Sequence, residues 1–432
     1  MLRLILLAAL ACPSIQGFES LTLDEAIQRA LADNPDARIA ASRIAAAEGS
    51  LVQARAAFQP QVRVQSGYIV TNQPVSVFGM ALNQQSFSSA LNFNDVPDSD
   101  NWATGAIVTM PLYAGGKNVA GRDAAQKMLE ATRHRADGLR DLLPLEVTKT
   151  FLLIYKTRAL ILAAQASVTA FESNLKLSQK RLDAGTALKT DALDLEVQLL
   201  QAREDLARTE NANRLTRHAL ANLIGLENSE VDASASMPRL EIPSSDQTPQ
   251  RPEILAAESM AQSAAARLRQ ASAGWKPSVN AFGSAEHNRG ARFDGSGTNY
   301  TVGVMAQWNV WDGKLTRGRV TEAEADYDAA QEAVRRQRLA ISLEVQQARI
   351  ALREADQRLG VSGKGIQLAE ESVKLTRDRF ETGLSLTAQL IDAETALTSA
   401  RVRRTEAETD RRVAIATLRR ALGLAILPTS SK

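Results

Sequence analysis

Residues 300–311 read Tyr300-Thr-Val-Gly-Val-Met-Ala-Gln-Trp-Asn-Val-Trp311. Tyr300, Val302, Val304, Ala306, Trp308 and Val310 alternate there with Thr301, Gly303, Gln307 and Asn309. A period of two marks a strand whose two faces meet different surroundings. Three further runs share the pattern. Val62, Val64, Tyr68 and Val70 alternate with Gln61, Arg63, Gln65 and Gly67. Trp102, Ala106, Val108, Met110 and Leu112 alternate with small or polar neighbours such as Gly105 and Thr109, and 278–286 sets Phe282 amid small residues. Each run has about ten residues, the length of a transmembrane β-strand. The windows 58–113 and 275–311 hold 13 of the 19 aromatic residues and all 4 Trp. Tyr68, Trp102, Tyr113, Tyr300, Trp308 and Trp311 are therefore candidates for the interfacial girdles of an outer-membrane barrel. A soluble β-layer would not explain why the aromatics desert the rest of the chain.

Outward from the strands the period changes to 3.5. Val345, Ala348, Leu352, Ala355, Leu359, Ser362, Ile366, Ala369, Val373, Thr376 and Phe380 follow Ile341 in alternating steps of four and three. Subtracting 198 gives Leu143, Val147, Thr150, Ile154, Thr157, Ile161, Ala164, Val168, Phe171, Leu175, Ser178 and Leu182. Such seams predict left-handed helix pairing, with many small residues that let backbones approach. Between Gly116 and Gly185 only Pro144 interrupts the pattern, predicting a kink or junction. Sixty-odd helical residues span roughly 100 Å, too long for a globular core. Gly185 and Gly383 predict hairpin tips over 183–190 and 381–388, with Leu188 and Leu386 opening the return helices. Shorter helices are predicted over 22–57 and 252–274, with a capping box at Thr22-Leu-Asp-Glu25 and a break at Asn34-Pro35.

The chain is one unit written twice. Arg181-Leu-Asp-Ala-Gly185 recurs as Arg379-Phe-Glu-Thr-Gly383, and Asp194 and Glu196 recur as Asp392 and Glu394, all at an offset of 198. Phe58-Gln-Pro60 matches Trp275-Lys-Pro277 at an offset of 217. The 19 extra residues of the first half fall between Pro60 and Tyr113, a loop of different length on a common scaffold.

Met1-Leu-Arg3, the apolar Leu4–Ala11 and small residues up to Gly17 read as an export signal. Ala9-Leu-Ala-Cys12 resembles a weak lipobox, making Cys12 a candidate lipidation site. Lys+Arg total 51 against 49 Asp+Glu, a formal +2, which argues against nucleic acid as a partner. A single Cys and three separated His give no disulfide framework and no metal-ligand spacing. No uninterrupted apolar run is long enough for a membrane helix, although β-barrels escape that test.

The topology then follows. Both strand pairs leave and return, so every helix lies on one side of the membrane, the periplasm, and the connections 71–101 and 287–299 lie outside the cell. Four strands cannot close a barrel, and open edges cannot face lipid. Eight strands fill their interior with side chains, so a conduit needs more; three copies, giving twelve, are the simplest closed solution. The expected division is a signal peptide at 1–17; first-repeat helices at 18–60; β-hairpin 1 at 61–113; helical hairpin 1 at 114–226; a linker at 227–251; a second-repeat helix at 252–277; β-hairpin 2 at 278–312; helical hairpin 2 at 313–424; and a tail at 425–432.

With repeat, tips and strands in place, the sequence resembles the TolC-like outer-membrane efflux proteins. The resemblance runs along nearly the whole mature chain. Its carriers are Leu21-Thr-Leu-Asp-Glu-Ala26, Asn34-Pro35, Phe58-Gln-Pro60, Pro111-Leu-Tyr-Ala-Gly-Gly116, Arg181–Gly185 and Arg379–Gly383, specific through their order and twofold occurrence. Pro74-Val-Ser-Val-Phe-Gly79 looks like a stretch found in some members. The resemblance implies a mostly α protein with a membrane β-barrel portion: a homotrimer with four strands per protomer and long antiparallel periplasmic helices. It implies a passive exit channel for efflux or type I secretion, docked to a periplasmic adaptor and, through it, an inner-membrane transporter. It carries docking to Gly185, Thr186, Ala187, Leu188, Gly383, Leu384, Ser385 and Leu386. It also carries a periplasmic gate: Asp191 matches a linking Asp and Asp392 a ring Asp, whereas Gln389 replaces a second ring Asp, and Phe380 and Ser385 replace a linking Tyr and Arg. No cofactor is implied.

An enzyme finds no support. Gly360-Val-Ser-Gly-Lys-Gly365 lacks the final Ser/Thr of a phosphate loop and sits within a heptad run. Arg403-Arg404, Arg411-Arg412 and Arg419-Arg420 are interleaved with Glu406, Glu408 and Asp410, as on a solvated helix face. The serious rival is a periplasmic coiled-coil adaptor or scaffold, which would need heptads and export but no aromatic-ended strands.

Overall fold

A computed structural model describes residues 19–427 apart from 93, 235, 236, 238 and 244–250. The expected export signal at 1–17, with Cys12, lies outside the described residues. In chain order the elements are β1 (Glu19–Leu21), α1 (Leu23–Asp33), α2 (Pro35–Ala56), β2 (Gln61–Thr71), α3 (Pro74–Asn83), β3 (Ser99–Tyr113), α4 (Lys117–Asp183), α5 (Lys189–Leu223), β4 (Val231–Ala233), α6 (Pro252–Ser272), β5 (Ser278–Gly290), β6 (Gly295–Gln307), α7 (Leu315–Glu381) and α8 (Thr387–Ala421). A 3₁₀ turn, Ala273–Trp275, follows α6. The repeat is realised at its predicted offset: α4 and α7 have 67 residues each and α5 and α8 have 35 each.

The described residues form two compact units, one within 19–41, 135–252 and 338–427, the other within 42–134 and 253–337. The first is helical. Heptad positions supply much of its core, with Val147, Ile154 and Phe171 on α4, and Val345, Ala348, Leu352, Ala355, Val373 and Phe380 on α7, but Leu145, Phe151, Leu152 and Ala163 of α4 bury off that seam. Phe171 packs with Leu195, Leu199 and Ala202 of α5, and Val345 with Ile415 and Leu418 of α8. Arg411 pairs with Asp356 at 2.6 Å and Arg358 with Asp410 at 2.8 Å, binding α8 to α7 where the seam is polar. The capping box forms as read: Thr22 N–H donates to Glu25 Oε2 at 2.8 Å and Glu25 N–H to Thr22 Oγ1 at 3.3 Å. At the break between α1 and α2, Asn34 donates its side-chain amide to Leu223 O at 2.9 Å.

Several expectations need correction in this unit. α4 runs without interruption through Pro144, so no junction forms there; the packing of a long helix offsets the hydrogen bond and the ring clash that a proline costs. By length and composition α4 also contains a stretch apolar enough to cross a membrane. Val147, Phe151 and Ile154 from this helix instead join the core around Leu21, Ile27 and Leu220. Gly360 to Gly365 lie inside α7, as a structural reading requires. Two strands were not foreseen: β1, within the segment expected to be helical at 18–60, pairs in parallel with β4, within the linker 227–251.

The second unit carries a four-stranded antiparallel sheet in the order β2-β3-β5-β6. Its strands have 11, 15, 13 and 13 residues. The connection expected at 287–299 is much shorter, because β5 continues to Gly290 and β6 starts at Gly295. Asp100 at the start of β3 accepts the backbone N–H groups of Ala291 and Arg292 at 2.8 to 3.1 Å, holding the tight turn that the glycine-rich sequence disguised as a loop. The connection 72–98 is not irregular throughout either, because α3 lies within it, opened by Pro74 at its first turn.

Candidate functional site

The strand pairings assign each side chain to one face of the sheet. Val62 stands opposite Val108, Val64 opposite Ala106 and Tyr68 opposite Trp102. Val108 stands opposite Gly283 and Ala106 opposite Ala285. Gly283 in turn faces Val302, Ala285 faces Tyr300 and Ala281 faces Val304. From the level of Val64, Ala106, Ala285 and Tyr300 toward the long helices one face is thus apolar across all four strands, while Ser66, Thr104, His287 and Thr298 cross it as a polar row farther out. The register shifts between Pro111 and Tyr113, so Tyr113 pairs with Val279 and joins that face. The other face carries Gln61, Arg63, Gln65, Asn101, Thr109, Asn280, Ser284, Glu286, Asn288, Asn299 and Thr301, with Ile69, Ala103, Ile107, Phe282 and Met305 as apolar exceptions. Val62, Val64, Val302 and Val304 of the apolar face are exposed in the single chain. β2 and β6 are both open edges.

The aromatic residues expected at interfaces fall at three levels. Tyr68 and Trp102 meet edge to face, 6.4 Å between centroids, near the strand ends remote from the long helices, and Trp102 donates to Ser66 Oγ at 2.8 Å. Tyr113 ends β3, while Trp308 and Trp311 lie just past Gln307, because β6 starts and stops earlier in the chain than the alternating run that predicted it. Trp308 donates to Trp275 O at 3.1 Å. Tyr300 sits inside β6 rather than at its end, a consequence of the tight turn before it.

The tips of the helical hairpins are built by two matching helix stops. Gly185 and Gly383 hold φ of +73° and +79°. Thr186 N–H reaches back to Arg181 O and Leu384 N–H to Arg379 O, both at 2.8 Å. These are left-handed glycine caps closed by a six-to-one bond. The return helices are capped by two of the residues expected at the gate: Asp191 Oδ2 accepts Leu188 N–H at 3.0 Å, and Gln389 Oε1 accepts the Ser385 hydroxyl at 2.7 Å and Leu386 N–H at 3.3 Å. Asp392 is exposed. Between the caps, Leu188, Leu384 and Leu386 stand 70, 80 and 71 % exposed, with Thr186 exposed and Ala187 half-buried beside them.

Phe380 is fully enclosed and explains a residue to which the sequence reading gave no role. Arg181 places its guanidinium 4.9 Å from the Phe380 ring centre and donates to Phe380 O at 2.8 Å. It also donates to Thr186 O at 3.3 Å. One side chain thereby ties hairpin 1 to hairpin 2 within a protomer. A second tie lies deeper: buried Glu394 accepts from Asn174 at 3.2 Å and pairs with Arg377. The signal for both was in the sequence, since Arg181 recurs as Arg379 and Glu196 as Glu394, but a repeat shows only equivalent places.

Among the described residues no group of three or more His, Cys, Asp or Glu could hold a metal ion. The sequence matches the family described as "Outer membrane efflux protein" over residues 26–226 and 245–424. The pyoverdine export outer membrane protein OpmQ of Pseudomonas putida is 24 % identical over 419 residues, covering 94 % of this chain and 87 % of the relative. The outer membrane protein OprJ of Pseudomonas aeruginosa is 25 % identical over 389 residues, 85 % and 79 % of the respective chains. The crystal structure of a membrane protein from Pseudomonas aeruginosa superposes with a TM-score of 0.82 at 22 % identity, covering 94 % of this chain and 91 % of that one. VceC of Vibrio cholerae gives a TM-score of 0.77 at 19 % identity, covering 94 % and 97 %. With two-faced strands, paired helical tips and a family match across most of its length, this chain belongs to the outer membrane efflux protein family and resides in the outer membrane.

Proposed function

We propose that three copies close into a twelve-stranded barrel and serve as a passive exit channel, opened at the helical tips by an adaptor coupled to an inner-membrane transporter. The observation that carries this reading is the sheet with one apolar face, one polar face and two open edges. The apolar face suits lipid and the polar face a wet lumen. Unpaired edge amides in hydrocarbon cost several kcal/mol each, so the edges must be closed by other copies. Direction agrees: β2 leads away from the helices and β6 returns to them, so β6 of one copy beside β2 of the next makes another antiparallel pair. The rival scaffold reading gives no account of this sheet, and the family match lends it no support.

The tips supply the regulated part. Exposed Leu188, Leu384 and Leu386 offer an apolar contact for an adaptor, while Arg181 and Glu394 hold the two hairpins of each copy together. Separating the hairpins loses one cation–π contact and a few hydrogen bonds, a modest barrier that docking can offset. Three exposed Asp392 carboxylates around an axis would favour cations at the constriction. The test is conductance in planar bilayers. Wild-type protein should give small, cation-selective currents; Arg181→Ala should enlarge them, and Asp392→Asn should weaken the selectivity. Protein that inserts but never conducts, even as Arg181→Ala, refutes the channel.

A further inference from the structure

The connection between β2 and β3 carries an apolar surface that its own chain leaves exposed. α3 is apolar on two sides. Val77, Met80 and Ala81 are buried, and Gln84 just beyond them is fully enclosed. On the opposite side Val75 is 80 % and Leu82 46 % exposed, flanking Phe78, whose ring meets Phe87 edge-on at 5.7 Å. Positions 75, 78 and 82 form one stripe at helical spacing. A helix apolar all round is ordinarily a buried helix.

Where α3 sits decides what buries it. The segment after it lies on the polar face of the sheet, at the strand ends remote from the long helices. Gln84 donates to Asp100 O and Asn101 Oδ1, both at 2.9 Å; Asn101 donates to Asn288 at 2.7 Å and Asn288 to Glu286 at 2.9 Å. Asn101, Asn288 and Glu286 all belong to the polar face. So do Gly290, Gly295 and Gly297, where a Cβ would meet Asp100 O at 2.3 Å, Gln84 O at 2.6 Å and Asn83 O at 2.2 Å. Three glycines clear a bed for the strap, and a chain of amides anchors it.

On the barrel reading above, on which this inference rests, the polar face is the inside, so lipid cannot cover the stripe. We infer that the exposed stripe of α3 meets its counterparts from the other two copies, narrowing the outer mouth to an apolar constriction. Both sheet edges already require those copies, so the partner for the stripe is the partner for the strands. A pore narrowed by apolar side chains resists wetting and slows ions without a charged latch. The channel would then be narrowed twice: by polar ties at the tips and by a poorly wetted exit.

The test uses the full chain with Cys12→Ser, which removes its 1 cysteine, and Leu82→Cys on the stripe. A parallel variant carries Val64→Cys on the apolar face. Mild oxidation should link Leu82→Cys into dimers on denaturing gels, one disulfide per trimer, and leave Val64→Cys unlinked. In bilayers, adding Val75→Ser and Leu82→Ser to Arg181→Ala should raise single-channel conductance about twofold over Arg181→Ala alone, because the exit then limits flow. A trimer by native mass that conducts, yet fails to cross-link and is indifferent to the serines, overturns the exit constriction and leaves the channel standing. A non-conducting monomer overturns the barrel, and this inference with it.

Discussion

Gly185 and Gly383 hold a left-handed backbone that a side chain resists, and no other heavy atom crowds the space at Gly185. Gly185→Ala should therefore cost about 1–2 kcal/mol through backbone strain alone. A lowered thermal midpoint with helix content unchanged would bear this out. Nearby, the repeat did locate Arg181 and Glu394, but their partners Phe380 and Asn174 come from the other hairpin and were invisible in the sequence. Asp191 and Gln389, read as gate residues, were legible as positions; their capping of α5 and α8 was not. At the base of α1 the Thr22 N–H and hydroxyl donate to Glu25 and hold its carboxyl below the usual value. A depressed carboxyl stabilises the fold above the unfolded-state pKa of about 4.3 and loses that contribution as pH falls through the folded value. Glu25→Gln should thus be less stable than wild type at neutral pH, with the gap shrinking below about pH 4. Parallel melts at the two pH values measure it.

At the scale of elements, alternation assigns the strands and pairing assigns their faces. Val64 and Gln65 are neighbours in β2 on opposite faces. Val64→Arg should cost about 2–4 kcal/mol, since it would place a charge in lipid near mid-strand, whereas Gln65→Arg should be tolerated on a wet face. Refolding titrations into lipid vesicles distinguish the two, and equal penalties would contradict the facing. Strand existence was legible because a period of two over about ten residues is a strong signal. The tight β5–β6 turn was not, because it is fixed by Asp100, nearly two hundred residues away in sequence. β1 and β4 escaped notice for a related reason: three residues are too few to show a period, and their pairing joins distant parts of the chain.

At the scale of the whole molecule, the protomer exposes Val62, Val64, Val302 and Val304 together on a sheet with two open edges. Such a surface is stable only in lipid and only in company. Membranes washed at alkaline pH should retain the protein, and gentle detergent extraction should yield a trimer by native mass. Release into the wash as a monomer would contradict this.

The sequence by itself determined the periods, the repeat and its offsets, and the helix stops at Gly185 and Gly383, because these depend on local backbone preference and on the spacing of apolar residues. Tertiary structure alone decided that Arg181 clasps Phe380, that Asp100 tightens a remote turn, and that α3 folds onto the polar face over Gly290, Gly295 and Gly297. Each of these joins residues far apart in the chain. Local propensity carries no information about such meetings, which the packing of the folded protein creates.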